Sequence, residues 1–509
     1  MPAKRIRTYR VVRWAIQLVF LVLFVALFAR TRYGVSPALG DVFFRLDPLV
    51  LLVTSIAGRA IVAAALLSLI FVAGTIVFGR FFCGFVCPLG TTIDLSDSVI
   101  RRKPGPGTRL RNTKYAVLLG LVVAALLGAS FIGFFDPLVI MERSLTLVFF
   151  PFVSYVAGTF GNARVAVFTE TFIAFAALVL ILGLGFIAPR FWCRNLCPLG
   201  GLFAFLAKFS LFKFRFIGEC RECGVCQNVC PTGAILSQST TPDHESPLRI
   251  DSGECIDCLA CQYRCARGAV SYRVKPRPTP LDIGRRQAII AIGSGLVLAP
   301  LARSLVHQRL QARLIRPPGA LPEPDFLAAC LRCGRCMKVC PTGALQPAIL
   351  ESGVNGLWTP RVVPRIGGCE KNCNMCGQVC PTGAIRKLSL EEKSFAKIGT
   401  AVVDRSRCIA WEQNRVCLIC DEACQYNAIN SFNETIRGTS LLRPFVDERV
   451  CVGCGICESR CPVEGAAAIQ AFSIGEERKR SGLYKTDAKV EQRRCGETPP
   501  EDVPSGFIQ

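Results

Sequence analysis

Two neighbouring runs decide how the chain is read: C-R-E-C-G-V-C-Q-N-V-C-P at 220–231 and, after a spacer, C-I-D-C-L-A-C-Q-Y-R-C at 255–265. In a C-x2-C-x2-C-x3-C run, three thiolates on one tight loop face a single cubic [4Fe-4S] cluster. The fourth lies about one helical turn on and reaches a neighbouring cluster. That rule groups Cys220, Cys223, Cys226 and Cys265 on one cluster, and Cys255, Cys258, Cys261 and Cys230 on the other. Zinc is the alternative, but zinc motifs usually separate two C-x2-C pairs by a longer loop, whereas here three cysteines crowd together.

The same grammar recurs downstream. Cys330, Cys333, Cys336 and Cys340 precede Pro341, and Cys369, Cys373, Cys376 and Cys380 precede Pro381. Cys408, Cys417, Cys420 and Cys424 have a wide first gap, and Cys451, Cys454, Cys457 and Cys461 precede Pro462. Six quartets take 24 of the 29 cysteines, four more lie in the motifs described next, and only Cys495 falls outside a pattern. A disulfide framework would not place proline after the fourth cysteine so often, nor repeat Pro-Thr-Gly-Ala at 231, 341 and 381. Six [4Fe-4S] clusters are therefore expected. In the last four quartets, nesting predicts Cys330, Cys333 and Cys336 with Cys461, and Cys451, Cys454 and Cys457 with Cys340. It also predicts Cys369, Cys373 and Cys376 with Cys424, and Cys408, Cys417 and Cys420 with Cys380. Sequential pairing is the rival.

Upstream the chain is apolar and duplicated. Asp47-Pro48-Leu49 recurs as Asp136-Pro137-Leu138, and R-F-F-C-G-F-V-C-P-L-G at 80–90 as R-F-W-C-R-N-L-C-P-L-G at 190–200. Each unit reads as helix, D-P-L loop, helix, C-x3-C-P-L-G. Apolar runs at Val11–Ala29 (interrupted by Arg13 and Gln17), about 61–78, about 115–134 and about 172–188 predict four membrane spans. Residues 144–157, interrupted by Pro151, read as an interfacial or re-entrant segment. The basic start and the basic loop from Arg101 to Lys114 place the N-terminus and both C-x3-C-P motifs on the cytoplasmic side, with the D-P-L loops outside. Residues 201–219 read as a surface-lying amphipathic helix.

The chain has 509 residues, 51% apolar, and a net charge of +23. Basic residues that flank apolar spans and offset anionic clusters account for this charge, and no nucleic-acid partner is expected. With two histidines, His244 and His307, outside the spans and no C-x-x-C-H, bis-histidine haem in the membrane and c-type haem are excluded. No G-x-G-x-x-G follows a strand pattern, so a dinucleotide site is not expected.

Five segments follow: a membrane helical domain with two C-x3-C-P motifs (1–200), a cytoplasmic two-cluster domain (201–280), a twin-arginine-like signal or anchor helix with a Pro-rich linker (281–325), a four-cluster domain (326–475) and a polar tail (476–509). The arginine pair is Arg285-Arg286 after Gly284, before an apolar run from Ala288 to Ala302. Twin-arginine signals export folded, cofactor-loaded domains; the alternative is a peripheral helix that leaves everything downstream cytoplasmic. The fold class is thus an all-α membrane bundle, four spans plus a fifth, carrying ferredoxin-like α+β iron–sulfur domains.

In motif order, residues 1–275 resemble the NapH family of membrane ferredoxins and residues 280–475 the NapG family, with MauN and MauM similar again. The resemblance implies a quinol dehydrogenase module of the bacterial inner membrane. Electrons would pass from the quinol pool through the clusters to a periplasmic redox partner, such as a c-type cytochrome or nitrate reductase system, with residues 326–509 periplasmic. A maturation or regulatory polyferredoxin that supplies reductant to another redox enzyme uses the same cysteines. Cys83, Cys87, Cys193 and Cys197 are expected to meet on a pseudo-twofold axis and hold a further metal centre or act as redox-active thiols. Quinol oxidation also needs proton acceptors, and Asp47, Asp136 and Glu142 are the candidates.

Overall fold

The first helix, Ala3–Arg30, shows how the apolar half is built. Val11, Val12, Leu18, Val19 and Val22 stay exposed on it. Arg13 and Gln17 turn inward instead: Arg13 meets Asp94 at 2.7 Å, and Gln17 donates to Asp94 at 2.9 Å and to the Gly84 carbonyl at 3.1 Å. The two polar interruptions are docking points, and the face left outside is apolar. The computed structural model describes residues 3–35, 40–60, 63–100, 109–159, 167–168, 171–216, 220, 223–237, 248–265, 267–274, 285–304, 313–349, 351–436 and 439–484. Arg101–Lys103, His244, the Pro-rich stretch 275–280, Gly284, His307 and the tail from 485 on with Cys495 lie outside them. The chain divides into two units, 1–161 with 170–301 and 328–333, and 162–169 with 302–327 and 334–509.

In the first unit, Thr8–Arg30 and Pro137–Thr159 are the two helices, among the described residues, long and apolar enough to cross a membrane. The other expected spans are shorter: the helix after residue 61 is α-helical only over Leu69–Phe78, the third ends at Leu126, and the fourth tightens after Gly183. Gly128, at φ +76°, breaks the third before a new turn starts at Ile132. Pro151 does not interrupt its segment. A π turn at Leu145–Phe149 precedes it and absorbs the missing N–H, so the path from Pro137 to Thr159 stays helical.

Both D-P-L motifs start helices, Pro48–Gly58 and Pro137–Ser144. Asp47 Oδ1 accepts from the N–H groups of Leu49 and Val50, Asp136 Oδ1 from those of Leu138 and Val139, and proline fills the first helical position. The C-x3-C-P motifs also end one turn and start another helix, Pro88–Ile100 and Pro198–Ala207.

The expected amphipathic helix at 201–219 is corrected. The helix stops at Ala207, and the alternation Phe-Lys-Phe-Arg-Phe has the period of a strand. Residues Phe212–Phe216 pair antiparallel with Val270–Val274. A second pair, Ile235–Ser237 with Leu248–Ile250, and two packed helices, Val225–Val229 and Ala260–Arg264, complete an α+β two-cluster domain. Tyr9 stacks on Tyr263 at 4.3 Å and Tyr272 donates to the Phe78 carbonyl, so this domain sits at the end of the bundle where the first helix begins. Helix Arg285–Ser304 lies along Thr113–Leu126 in the same direction, with Ala291 against Gly120 and Gly295 against Val123. Small residues permit that approach.

The second unit repeats one pattern: a cysteine loop, a short helix, a return strand. Helices Arg335–Lys338 and Met375–Gln378 pack together, as do Ile419–Glu422 and Ile456–Arg460. Between the latter two, the hairpin Ile429–Ile436 with Thr439–Val446 turns the chain back on itself. Glu323 ties this unit together, bound by Arg316 at 2.5 Å, Arg478 at 2.6 Å and the Ser352 hydroxyl at 2.5 Å. Burial alone would push its carboxyl up, but Arg316, then Ser352 and Arg478, hold it at about 2, below its ordinary 4.5. A depressed carboxyl contributes stability that is complete above about pH 4.5 and is lost as pH falls toward 2. The melting-temperature gap between the native protein and Glu323→Gln should therefore be wide at pH 7 and narrow at pH 3; an equal gap at both would contradict this.

Candidate functional site

Four-thiolate cavities recur through the second unit. Cys408, Cys417, Cys420 and Cys461 line one of about 380 Å³; Cys424, Cys451, Cys454 and Cys457 one of about 330 Å³; Cys340, Cys369, Cys373 and Cys376 one of about 380 Å³. Each joins three cysteines of one loop to the fourth cysteine of its neighbour. Nesting is overturned and pairing is sequential, first quartet with second and third with fourth. The reason is local: the packed short helices and the long hairpin bring adjacent quartets together before distant ones can meet. Cys369 donates its N–H to the Cys454 carbonyl at 2.7 Å, which puts the two pairs in direct contact.

These cavities fit an iron–sulfur cube. All described cysteines are free thiols. Among the described residues no three His, Cys, Asp or Glu side chains close on a single ion, so the thiols ring a cavity rather than a point. Backbone N–H groups point at the sulfurs that cross over: Ala428 to Cys424 at 3.3 Å, Ala468 to Cys461 at 3.4 Å and Ile385 to Cys380 at 3.5 Å. Such donors stabilise sulfur that carries negative charge. Burial, then Cys408 and Cys417, pushes the Cys420 thiol up to about 12. Loading a cluster there must displace its proton.

In the two-cluster domain, Cys230 lies beside Cys258 and Cys261, and Ala234 and Ala269 donate to the Cys230 and Cys265 sulfurs at 3.2 and 3.3 Å. The domain is pinned through Glu254, 2% exposed, next to Cys255. Its carboxylate meets Lys114 at 2.6 Å, Arg80 at 3.8 Å and Arg111 at 3.9 Å, while Arg80 also donates to the Gly253 carbonyl at 2.7 Å.

Cys83, Cys87, Cys193 and Cys197 come together around one space, with Arg80 and Pro137 in its wall. The repeats cross over: the Arg190 guanidinium donates to the Cys83 carbonyl at 2.8 Å, and Arg80 approaches Gly200 as Arg190 approaches Gly90. Arg190 is itself held by Asp94 through both carboxylate oxygens, at 2.5 and 2.7 Å. Asp47 and Asp136, 1% and 0% exposed, face each other. Each keeps Oδ1 on its own helix N-terminus, and among the described residues no backbone N–H donates to either Oδ2. The sequence predicts two separate carboxylates near a surface; the structure gives one buried pair. Glu142 is buried in the same helix as Pro137. Beyond the pair, Leu331 and Arg332 lie on Gly133, with the Arg332 guanidinium over the Phe134 ring at 5.0 Å, and Cys333 is buried there.

Arg80, Arg190, Asp94 and Glu254 were not among the expected site residues. The first two carried a signal, since each stands three residues before a C-x3-C-P motif; the carboxylates carried none.

Known proteins resemble parts of this architecture. One model, described as a 4Fe-4S binding domain, matches both repeats, at 60–106 and 170–217. A 4Fe-4S dicluster domain matches 219–269, and a further 4Fe-4S binding domain matches 327–346. The methylamine utilization ferredoxin-type protein MauM of Paracoccus denitrificans is 38% identical over 203 residues, 39% of this chain and 88% of that one. The ferredoxin-type protein NapG of Escherichia coli is 34% identical, over 36% and 84%. MauN of Paracoccus denitrificans is 30% identical, over 37% and 62%. With most of MauM and of NapG covered at these identities, the chain belongs to the MauM and NapG family of ferredoxin-type [4Fe-4S] electron-transfer proteins.

Proposed function

We propose that the chain is a membrane-bound module that takes electrons from quinol and passes them through six [4Fe-4S] clusters to a periplasmic redox partner, such as a c-type cytochrome or a nitrate reductase system. The observation that carries this reading is the helical bundle of the first unit: its outer faces are apolar, and cysteine-bearing loops sit at both of its ends. Helices shorter than a full span, broken where they meet, suit a bundle whose irregular backbone faces protein rather than lipid. Helix Arg285–Ser304, about 30 Å long at 1.5 Å per residue, runs from the two-cluster end toward the end holding Cys330 and Cys333 and serves as the fifth crossing.

Quinol oxidation releases two electrons and two protons. Iron–sulfur clusters take electrons singly and take no protons, so the protons need their own acceptor. The facing, buried carboxyls of Asp47 and Asp136 are the acceptor this reading assigns. Within the second unit, sequential pairing orders the clusters: that of Cys369, then that of Cys451, then that of Cys408. The Cys408 cluster is then the exit to the partner. Reporters fused after Gln509 test the arrangement: a periplasm-dependent reporter should be active and a cytoplasm-dependent one silent, and the reverse pattern would contradict it.

A further inference from the structure

The two C-x3-C-P repeats each carry two cysteines, too few for a four-thiolate site, but all four line one partly open space of about 330 Å³. That is the size of the cavities inside the ferredoxin quartets, about 330 to 380 Å³. The sulfurs are treated alike in both places. Gly90 donates its N–H to Cys87 Sγ at 3.4 Å and Gly200 to Cys197 Sγ at 3.2 Å, as Ala234 does to Cys230 at 3.2 Å. Cys87 and Cys197 also precede helices, where aligned peptide dipoles favour negative charge. Arg80 lines the space and the Arg190 guanidinium reaches the Cys83 carbonyl, and such cations offset the charge of an anionic four-thiolate cluster.

The space also lies between two cluster loops. Gly84, between Cys83 and Cys87, is so close to the Ile256 carbonyl that a Cβ there would lie 2.3 Å from it, and Ile256 stands between Cys255 and Cys258. On the other side Pro137 lines the wall. Four residues before it, in the preceding short helix, a Cβ on Gly133 would lie 2.4 Å from the Leu331 carbonyl, between Cys330 and Cys333.

We propose that Cys83, Cys87, Cys193 and Cys197 together ligate one further cluster, a seventh [4Fe-4S] cube shared between the repeats. It relays single electrons between the Cys255–Cys261 cluster and the loop of Cys330 and Cys333, and no bond is made or broken. The proposal rests on the electron-carrier reading but needs neither quinol nor a named partner.

The test is iron and acid-labile sulfide per chain in anaerobically prepared full-length protein. Seven cubes hold about 28 iron atoms and six hold about 24. The native protein is expected at the higher figure, with Cys83→Ser/Cys193→Ser lower by about four while the low-temperature paramagnetic resonance signals of the ferredoxin clusters persist. About 24 iron in the native protein overturns the proposal whether or not the variant folds, as does an unchanged count in a folded variant. A second arm tests the relay: vesicles with a trapped low-potential viologen inside and an impermeant acceptor outside should lose at least about tenfold in electron flux in the variant; unchanged flux overturns the relay. Failure of quinol to reduce the protein would alter neither result.

Discussion

Replacing Cys461 with serine should disable the cluster of Cys408, Cys417 and Cys420, and spare the cluster of Cys451, Cys454 and Cys457, which are its neighbours in sequence. The reciprocal change, Cys424→Ser, should do the opposite. The cavities demand this, because Cys461 lines the space of the earlier loop and Cys424 that of the later one. A lost thiolate strips between about one and four irons from its cube. Iron analysis and the resonance spectrum of the reduced protein read the loss. Combining Cys461→Ser with Cys408→Ser should cost little more than either alone, since both strike one cluster, whereas Cys461→Ser with Cys424→Ser should cost about twice as much. Additive loss in the first combination would restore the nested arrangement.

Removing the carboxylate of Glu254 should be the most damaging single change outside the cysteines. Lys114 and Arg80 are fully buried; without Glu254 the Lys114 ammonium loses the carboxylate that favours its charge against burial, while the Arg80 guanidinium stays charged. Breaking a buried pair on one side costs about 3–5 kcal/mol. Glu254→Ala should therefore lower the unfolding temperature of the detergent-purified protein and loosen the adjoining Cys255 loop, seen as a broadened signal from its cluster. Glu254→Gln retains the shape and one acceptor oxygen and should fall between the two. An alanine variant as stable as the native protein would show that the three cations do not depend on this carboxylate.

The cysteine grammar, the duplicated half and the D-P-L and C-x3-C-P positions were legible because each is a local pattern with a fixed chemical purpose. The strand Phe212–Phe216 was legible too, from its alternation, but the apolar content of the preceding helix masked it. Cluster pairing was not legible. It depends on the hairpin from Ile429 to Val446 and on which short helices pack, and ligand spacing carries neither. Span lengths misled for a related reason: hydropathy sees an apolar run through Gly128, while the backbone breaks there. Arg13 and Gln17 read as flaws in a membrane helix because their partners, Asp94 and Gly84, lie far away in sequence. The pairing of Asp47 with Asp136 follows from the repeat once the two helix starts are seen to converge.

The central claim is that quinol is the electron source for this chain of clusters. The most direct measurement adds a quinol of low potential to the oxidised, anaerobic protein in lipid and follows the clusters by low-temperature paramagnetic resonance. Reduced-cluster signals should grow with quinol, reach the four-quartet unit, and shrink when Asp47 and Asp136 are both changed to asparagine. Signals that appear with dithionite but never with quinol would contradict the account.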